Sequence, residues 1–261
     1  MAEELGFPKL NRQPLSLVLA DFRFSPIAKM GNWIPDIQEK LRKDFPSFQE
    51  VQGQQIILGS DIPKVLNSSL AWTFTGPGAQ KSIRIEQSRL VYVTTSYGRF
   101  PGFRGECVKA LRLLKNVVDP GLLTRVGLRY NDIIVPQPDE DFEKYLVPNL
   151  LPLMQENIEI AQHRCETLAR TEFGMLAVRT FMSRQGIVIM PDLHDVPLKL
   201  RSDAPKERLS VILDIDHYRT FEGGVSFTIE EAAETLSSLH RIARSAFWKA
   251  TTNFARNERW S

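Results

Sequence analysis

The 261-residue sequence has few cysteines and no long apolar run, and both absences limit what the protein can be. Its two cysteines, Cys107 and Cys165, belong to no CxxC pair, so neither a disulfide framework nor a cysteine-rich zinc site is predicted. The most apolar stretch, 147–154, contains two prolines and is far too short to span a bilayer. No basic segment followed by an apolar one marks a secretory signal. We therefore expect a cytoplasmic protein.

No short motif in the sequence names a reaction. The four histidines lack the spacing of a zinc site. The sequence contains neither a phosphate-binding P-loop nor a nucleophile elbow of the form GxSxG. Residues that are distant in sequence can still assemble into a catalytic site, so these absences lower the expectation of catalysis without removing it. They favour a non-enzymatic protein that needs no cofactor.

Composition and periodicity predict a globular α+β protein. With 43% hydrophobic and 25% charged residues, a chain of this length can bury a sizeable core without disulfides. In the first half, 1–120, apolar spacing predicts strands at 15–24, 48–58, 71–75, 82–86 and 90–95 and helices at 33–45 and 103–118. In the second half, 121–261, it predicts strands at 122–135, 158–171, 174–182, 185–190 and 208–218 and helices at 141–151 and from 228 to about 254.

The two halves share the order strand, helix, several strands, helix, which indicates an architectural duplication near residue 120. Hairpin-sized connections such as 87–89 favour antiparallel pairing. We therefore expect antiparallel sheets with helices packed on one face. The last helix is predicted to be long, roughly 40 Å for about 28 residues. Thr228 and Glu231 have the spacing of a capping box at its start, and its apolar face continues to Phe254.

The last predicted strand contains the stretch DIDH, residues 214–217, with two carboxylates and an imidazole. Because side chains alternate along a strand, Asp214 and Asp216 share one face, and His217 lies on the other face with the apolar residues. Two carboxylates can bind a hard cation such as Mg²⁺ if further oxygen ligands approach. The candidates in the preceding loop are Asp192, His194 and Asp195. Alternatively, the two aspartates face solvent or pair with basic side chains.

A glycine-rich turn at 98–105 precedes the helix predicted from 103. Such turns can bind an anion through free backbone N–H groups and the helix dipole, and Arg99 and Arg104 would assist. The turn lacks the Gly-Lys-Ser/Thr of a P-loop and the parallel βαβ setting of a dinucleotide site. An ordinary strand-to-helix loop is the alternative interpretation.

Charge is unevenly distributed along the chain, although the net charge is only +2. Residues 1–130 carry a net charge of +7, and the remaining residues carry −5. This asymmetry either attracts an anionic partner such as nucleic acid to the basic half or holds the two halves together. The basic residues lie on the polar faces of two predicted helices, where solvated lysines and arginines are common.

Several stretches taken together resemble one protein family. They are Pro14-Leu15 through Arg23-Phe24-Ser25-Pro26, Ile34-Pro35-Asp36-Ile37-Gln38 with Phe45-Pro46, Gly127-Leu128-Arg129-Tyr130-Asn131, Leu213-Asp214-Ile215-Asp216-His217-Tyr218, and Leu239-His240 with Ala246-Phe247. In this order they resemble a sporadically distributed prokaryotic family of about 260 residues with no established activity. The resemblance covers nearly the whole chain and implies no catalytic residue. The patchy distribution of the family implies an accessory role in a defence or mobile-element system.

Three functions follow as hypotheses. The first is a non-enzymatic interaction or regulatory protein that acts on a protein partner, with Arg129, Tyr130 and the last helix as the contact surface. The second is a metal-dependent hydrolase or nuclease that uses Asp214 and Asp216. The third is nucleic-acid binding through the basic N-terminal half.

Overall fold

A computed structural model describes residues 7–57, 64–153, 159–184, 186, 189–193, 197–200 and 208–261, with the backbone alone for 52–57, 64–69 and 191. In this part of the chain, nine strands form one sheet. The strands are β1 (Leu15–Phe24), β2 (Ser47–Ile57), β3 (Lys64–Thr75), β4 (Lys81–Glu86), β5 (Arg89–Thr94), β6 (Leu122–Ile134), β7 (Gln162–Thr171), β8 (Gly174–Ser183) and β9 (Ser210–Ser226). The helices are α1 (Met30–Leu41), α2 (Phe100–Val117) and α3 (Ile229–Ala250).

The sheet is antiparallel throughout, in the order β2-β3-β4-β5-β1-β6-β9-β8-β7. The predicted α+β class is therefore confirmed. In each half the last strand lies beside the first, and the preceding strands follow outward in reverse order. The first strands of the two halves, β1 and β6, pair at the centre, with Ala20 opposite Leu128. One sheet thus joins the segments 1–120 and 121–261.

The helices lie on one face of the sheet, where the largest apolar cluster forms. Alternate residues of β1 (Val18, Ala20 and Phe22) are buried in this cluster together with apolar residues of α1, α2 and α3. The intervening residues, Leu17 and Leu19, belong to a separate cluster on the opposite face. A strand that is buried on both faces needs apolar residues at successive positions, which explains the continuous run LSLVLA.

The face without helices, called the open face below, is partly covered by the chain between β8 and β9. Ile189 and Leu193 from this connection pack against apolar side chains of β1 and β5. The predicted strand at 185–190 is wrong in its described part, since residues 186, 189 and 190 lie in irregular backbone. A short 3₁₀ turn at Pro191–Leu193 follows.

Two predicted helices differ from the structure. The segment 141–151 forms two 3₁₀ turns, Phe142–Lys144 and Pro148–Leu150. The proline explains the interruption, because a residue that precedes proline is disfavoured in the helical region, and Val147 is extended at φ −67° and ψ 147°. Helix α3 begins as predicted, with the Thr228 hydroxyl accepting from the backbone N–H of Glu231 at 3.1 Å.

Helix α3 ends four residues before the predicted position. Thr251 leaves the helical region at φ −107° and ψ 154°. The guanidinium of Arg256 donates to the Trp248 carbonyl oxygen at 2.6 Å and also to the carbonyl oxygen of Thr251. A buried cation therefore satisfies the last carbonyl groups, which favours helix termination at this position. The helix comprises 22 residues.

Gly174 allows β8 to approach β9 closely. Its φ is +148°, and a Cβ atom at this position would lie 2.0 Å from the carbonyl oxygen of Tyr218. We expect Gly174→Ala to lower the free energy of unfolding by about 1–3 kcal/mol or more, because both the backbone strain and the clash must be relieved. Urea denaturation would measure the change. The control is Gly105→Ala in α2, where a Cβ atom meets no neighbour within 4 Å. This helical substitution should be neutral or stabilising. Equal losses in the two variants would contradict the prediction.

Candidate functional site

The two aspartates of the DIDH stretch lie on the open face of the sheet. Asp214 is fully buried there. Its Oδ1 accepts from Nε of Arg129 at 2.7 Å, and its Oδ2 accepts from Nη1 of Arg179 at 3.0 Å. Asp216 lies two positions along the same strand, 3.7 Å from the Arg179 guanidinium. The carboxylates thus face basic side chains of the neighbouring strands.

Arg129 connects this pair to the loop that covers the open face. Its Nη1 and Nη2 donate to the two carboxylate oxygens of Asp192 at 2.6 and 3.0 Å, a bidentate arrangement. The hydrogen bonds from Arg129 lower the pKa of Asp192. Burial raises the pKa of Asp214, and the two arginines oppose this effect. Guanidinium groups thus donate to both carboxyl oxygens of Asp214.

Few ligands are available for a metal at this position. His194 and Asp195 lie outside the described residues. His217 lies on the helix face, as the strand period predicts, and its Nδ1 is 3.0 Å from the carbonyl oxygen of Leu239. Nowhere in the described ranges do three or more His, Cys, Asp or Glu side chains form a group that could hold a metal ion. The Mg²⁺ site at Asp214 and Asp216 stays a prediction, and the arginine pairing favours the alternative.

A cavity of about 120 Å³ lies on the helix face, between the sheet, the start of α2 and the second half of α3. Tyr130 of β6 and Arg99, which directly precedes α2, both line it. From the sequence, Tyr130 was predicted to contact a partner and Arg99 to assist an anion site. The structure places both side chains on the wall of this cavity. Aromatic and aliphatic groups form most of the wall, and the described lining residues include Tyr97, Phe100, Ile215, Phe247 and Trp248.

Asp132 is the exceptional residue of this cavity. It lies two positions after Tyr130 on β6, lines the cavity and is only 3% exposed. Across the described part of the chain, no group forms a hydrogen bond with its carboxyl group. Burial, together with the negative charge of Asp214, raises its pKa to about 8. At neutral pH the carboxyl group is therefore largely protonated, and it can donate a hydrogen bond into the cavity.

Tyr130 and His240 form the polar wall next to Asp132. The Tyr130 hydroxyl is 2.8 Å from Nδ1 of His240. The imidazole of His240 stacks on the ring of Phe100, with the ring centroids 3.8 Å apart and an interplanar angle of 6°. Burial lowers the pKa of His240 to about 3, so the imidazole is neutral at physiological pH. Burial also raises the pKa of Tyr130. The wall therefore consists of uncharged polar groups.

Three basic residues, Lys9, Arg99 and Arg244, also line the cavity. The guanidinium of Arg244 donates to the carbonyl oxygen of Phe7 at 2.7 Å and lies over the Phe7 ring. Gln13 donates to the carbonyl oxygen of Tyr97 at 2.9 Å. The segment 7–13 is thereby held across the cavity, and the positive charges gather where this segment, α2 and α3 meet.

The other selected residues lie elsewhere. Arg129 points to the open face, away from Tyr130, because adjacent residues of a strand face opposite ways. Arg104 donates to the Ala233 carbonyl oxygen at 3.3 Å and so links α2 to α3. On α2, Lys109 and Lys115 pair with the neighbouring acids Glu106 and Asp119. The nucleic-acid hypothesis stays a prediction, and these pairs reduce the positive charge that phosphates would meet.

Neither Asp132 nor His240 was predicted from the sequence as a site residue. The alternation of side chains along β6 does indicate Asp132 as unusual. Leu128, Tyr130 and Asp132 share one face of the strand, and Asp132 places a carboxyl group on a face that is otherwise mainly apolar. Nothing in the sequence indicates that α3 would place His240 beside them. A contact between residues 110 positions apart, such as Tyr130 and His240, is set by the tertiary structure and cannot be predicted from local sequence patterns.

Comparison of the chain with protein-family models gives no match. Comparison with curated proteins gives no significantly similar sequence. None of the helices in the described ranges combines the length and the apolar character that crossing a bilayer requires.

The buried carboxyl group of Asp132 predicts a pH-dependent stability. Its pKa is raised to about 8 in the folded protein, above the ordinary value of 3.8, so the folded state holds a proton that the unfolded state releases. Stability should fall as the pH rises from about 4 to 8. In Asp132→Asn this loss, up to roughly 5 kcal/mol, should be absent. Urea denaturation at pH 4.5 and 8.5 would measure it. Parallel pH profiles of the wild type and the variant would contradict the prediction.

The buried pair of Arg129 and Asp214 predicts a large mutational effect. Arg129→Met leaves Asp214 with one fewer cation in a buried position and should lower the free energy of unfolding by about 3–5 kcal/mol at pH 7. Adding Asp214→Asn should recover part of this loss. The control is Arg23→Met, which removes a half-exposed partner of Asp21 and should cost no more than about 1 kcal/mol. Denaturation curves would test both expectations, and similar losses for Arg129→Met and Arg23→Met would refute them.

Proposed function

We propose that the protein is a non-enzymatic binding protein that takes a small organic molecule into the cavity between α2, α3 and the sheet. The observation that carries this proposal is the carboxyl group of Asp132, which lines the cavity without a hydrogen-bond partner among the described residues. A bound molecule can pair with this carboxyl group without displacing a hydrogen bond to another described residue, which gives the cavity a ligand preference.

The size and the wall of the cavity support a ligand of about one ring. An engineered cavity of about 150 Å³ in another protein is known to hold benzene, and the present cavity of about 120 Å³ is of comparable size. Small-molecule sites are typically lined by apolar and aromatic side chains with a few converging polar groups. Asp132, Tyr130 and His240 are such polar groups, and they converge on one side of the cavity, whose wall also includes aromatic side chains and the basic residues Lys9, Arg99 and Arg244.

The chemistry of the lining groups favours binding over group transfer. The described lining residues include neither a serine nor a cysteine. The imidazole of His240 is occupied by the Tyr130 hydroxyl and by the Phe100 ring. An uncharged polar wall of this kind recognises a ligand by hydrogen bonds. The proposal thus keeps the non-enzymatic role that the sequence analysis favours.

The protein partner remains part of the proposal. A ligand in this cavity would contact α2, α3 and the segment 7–13 at once, so its binding would stabilise their packing. A partner that contacts α3, the surface favoured by the sequence, would then bind the loaded and the empty protein with different affinities. An accessory role in a cytoplasmic defence or mobile-element system fits a regulator of this type.

Ligand-observed NMR with a collection of one-ring compounds, comprising acids, amines and neutral molecules, tests the binding function. We expect some compounds to bind the wild-type protein with millimolar or better affinity. Ala243→Leu, which fills the cavity from α3, should abolish their binding. The control is Ala246→Leu on the same helix, which lies outside the lining set and should leave binding unchanged. Circular dichroism would establish that both variants are folded. The proposal fails if no compound binds, or if folded Ala243→Leu binds them as the wild type does.

A further inference from the structure

We propose that three arginines on the open face of the sheet bind the phosphate group of a small, polar phosphate monoester. They are Arg23 of β1, Arg89 of β5 and Arg125 of β6, and they are called the arginine row below. This site and the cavity lie on opposite faces of the sheet. The proposal therefore goes beyond the binding function of the cavity and is tested independently of it.

The arginine row results from the register of three neighbouring strands. Arg23 lies directly opposite Arg89 in the pair of β1 with β5, and directly opposite Arg125 in the pair of β1 with β6. Side chains at such positions share one face of the sheet, so the three positive charges lie side by side. Like charges that are directly opposite each other are destabilising. The row is therefore favourable only where anions lie close to it.

One carboxylate, that of Asp21, is shared by the whole row. Its Oδ1 accepts from Nε of Arg89 at 2.7 Å. Its Oδ2 accepts from Nη1 of Arg125 at 2.7 Å and from Nε of Arg23 at 3.2 Å. The side chain of Asp21 is 5% exposed, whereas those of Arg23, Arg89 and Arg125 are 47%, 32% and 18% exposed. Three guanidinium groups and one carboxylate leave a net charge of +2, and this charge lies on the solvent side of Asp21.

Asp21 is the one acid that forms an ion pair with Arg23 or Arg125 in the described part of the chain. Glu86 of β4 lies 4.0 Å from Nη1 of Arg89, but it is closer, at 2.8 Å, to an arginine of its own strand. The excess of positive charge affects Arg125, whose pKa is lowered by burial and also by the charges of the other two arginines. An anion bound beside the row would relieve this repulsion.

The guanidinium of Arg125 is held in place before a ligand binds. Its central carbon lies 4.3 Å from the centre of the Tyr218 ring, and its Nη1 is bonded to Asp21. It extends over Gly127, where an added Cβ atom would lie 3.8 Å from the same carbon. A side chain fixed in this way loses little conformational freedom on binding. Each guanidinium of the row keeps a terminal nitrogen without a hydrogen bond to any described residue, and these nitrogens can donate to phosphate oxygens.

A phosphate monoester matches the charge and the shape of the site. Its charge at pH 7 is about −1.5 to −2, because its second pKa is near 6. This charge complements the net +2 of the row and Asp21, and guanidinium groups bind phosphate oxygens in a bidentate manner. The phosphates of a nucleic acid each carry one negative charge and are spread along a chain. The three guanidinium groups converge on one carboxylate, which favours a single, doubly charged group.

The positions at the two ends of the row are polar. Glu86 lies directly opposite Arg89, and Thr220 lies directly opposite Arg125. Such side chains can form hydrogen bonds with hydroxyl groups of a ligand. This setting favours a phosphate carried by a small polyol, for which glycerol 3-phosphate is a suitable probe.

Calorimetric titration of the full chain with glycerol 3-phosphate, in a phosphate-free buffer of low ionic strength, tests the proposal. Binding should be about tenfold weaker at pH 5 than at pH 7.5, because only about one tenth of the ligand is doubly charged at pH 5. Sulfate keeps its double charge at both values, so its affinity controls for titration of Asp21, Glu86 and Asp216, the acids that face the row. Absence of glycerol 3-phosphate binding, or an equal loss for sulfate, would overturn the proposal.

Variants assign the binding to the arginine row. Arg23→Gln and Arg125→Gln should each weaken glycerol 3-phosphate binding at least several-fold. The matched control is Arg164→Gln, which removes the same charge from the edge strand β7, where the guanidinium lies over the Phe181 ring. It should leave binding unchanged, and an equal effect of all three variants would refute the assignment. Circular dichroism would establish folding. If Arg125→Gln does not fold, the half-exposed Arg23 still decides the question.

A short oligothymidylate without a terminal phosphate distinguishes a nucleic-acid backbone from the small ligand. At physiological ionic strength it should bind more weakly than glycerol 3-phosphate, and Arg23→Gln should not change its affinity. Tighter binding by the oligonucleotide that is lost in Arg23→Gln would overturn the choice of ligand. Each of these results leaves the proposed function of the cavity to its own experiment.

Discussion

The alternation of side chains along β6 is the constraint on which both polar regions of the protein depend. This strand lies near the centre of the sheet, between β1 and β9, and most of its residues on both faces are buried or partly buried. Arg129 and Asn131 face the open side, and Tyr130 and Asp132 face the helices. Asn131 is satisfied locally, since it donates to the hydroxyl of Ser16 at 2.6 Å and accepts from the N–H of Met190 at 3.0 Å. A shift of one residue in the register of β6 would exchange these faces and bury Arg129 among the apolar side chains of the helices.

The two faces influence each other through the sheet. Asp214 on the open face and Asp132 on the helix face belong to neighbouring strands, and the charge of Asp214 contributes to the raised pKa of Asp132. The partners of the two carboxyl groups differ. Asp214 pairs with two arginines, whose positive charges oppose the effect of burial on its pKa. Asp132 has none among the described residues, so its neutral form is favoured. The ion pairs of the open face therefore lie on the opposite side of the sheet from the uncharged groups Asp132, Tyr130 and His240.

Part of this arrangement could be predicted from the sequence. Most strand positions and the separation of Asp214 and Asp216 from His217 follow from a period of two, and the antiparallel class follows from short connections; both are local properties. The pairing of β1 with β6 could not be predicted, because it joins segments about 100 residues apart and no local pattern specifies it. For the same reason Tyr130 was selected while its partner His240, 110 residues later, was not. The failure at 141–151 has another cause, since Pro148 overrides an apolar spacing that resembles a helix.

The cavity itself follows from the unequal helix content of the two halves. In the first half, α1 follows the first strand and packs with α2 over the sheet. In the second half, 3₁₀ turns occupy the corresponding position in the chain order. Among the described residues of that half, α3 is therefore the one α-helix, and it packs over β6, β8 and β9. A single helix cannot cover the same width of sheet as a pair. The gap lies between α3 and the start of α2, where the segment 7–13 crosses, and the carboxyl group of Asp132 faces this gap.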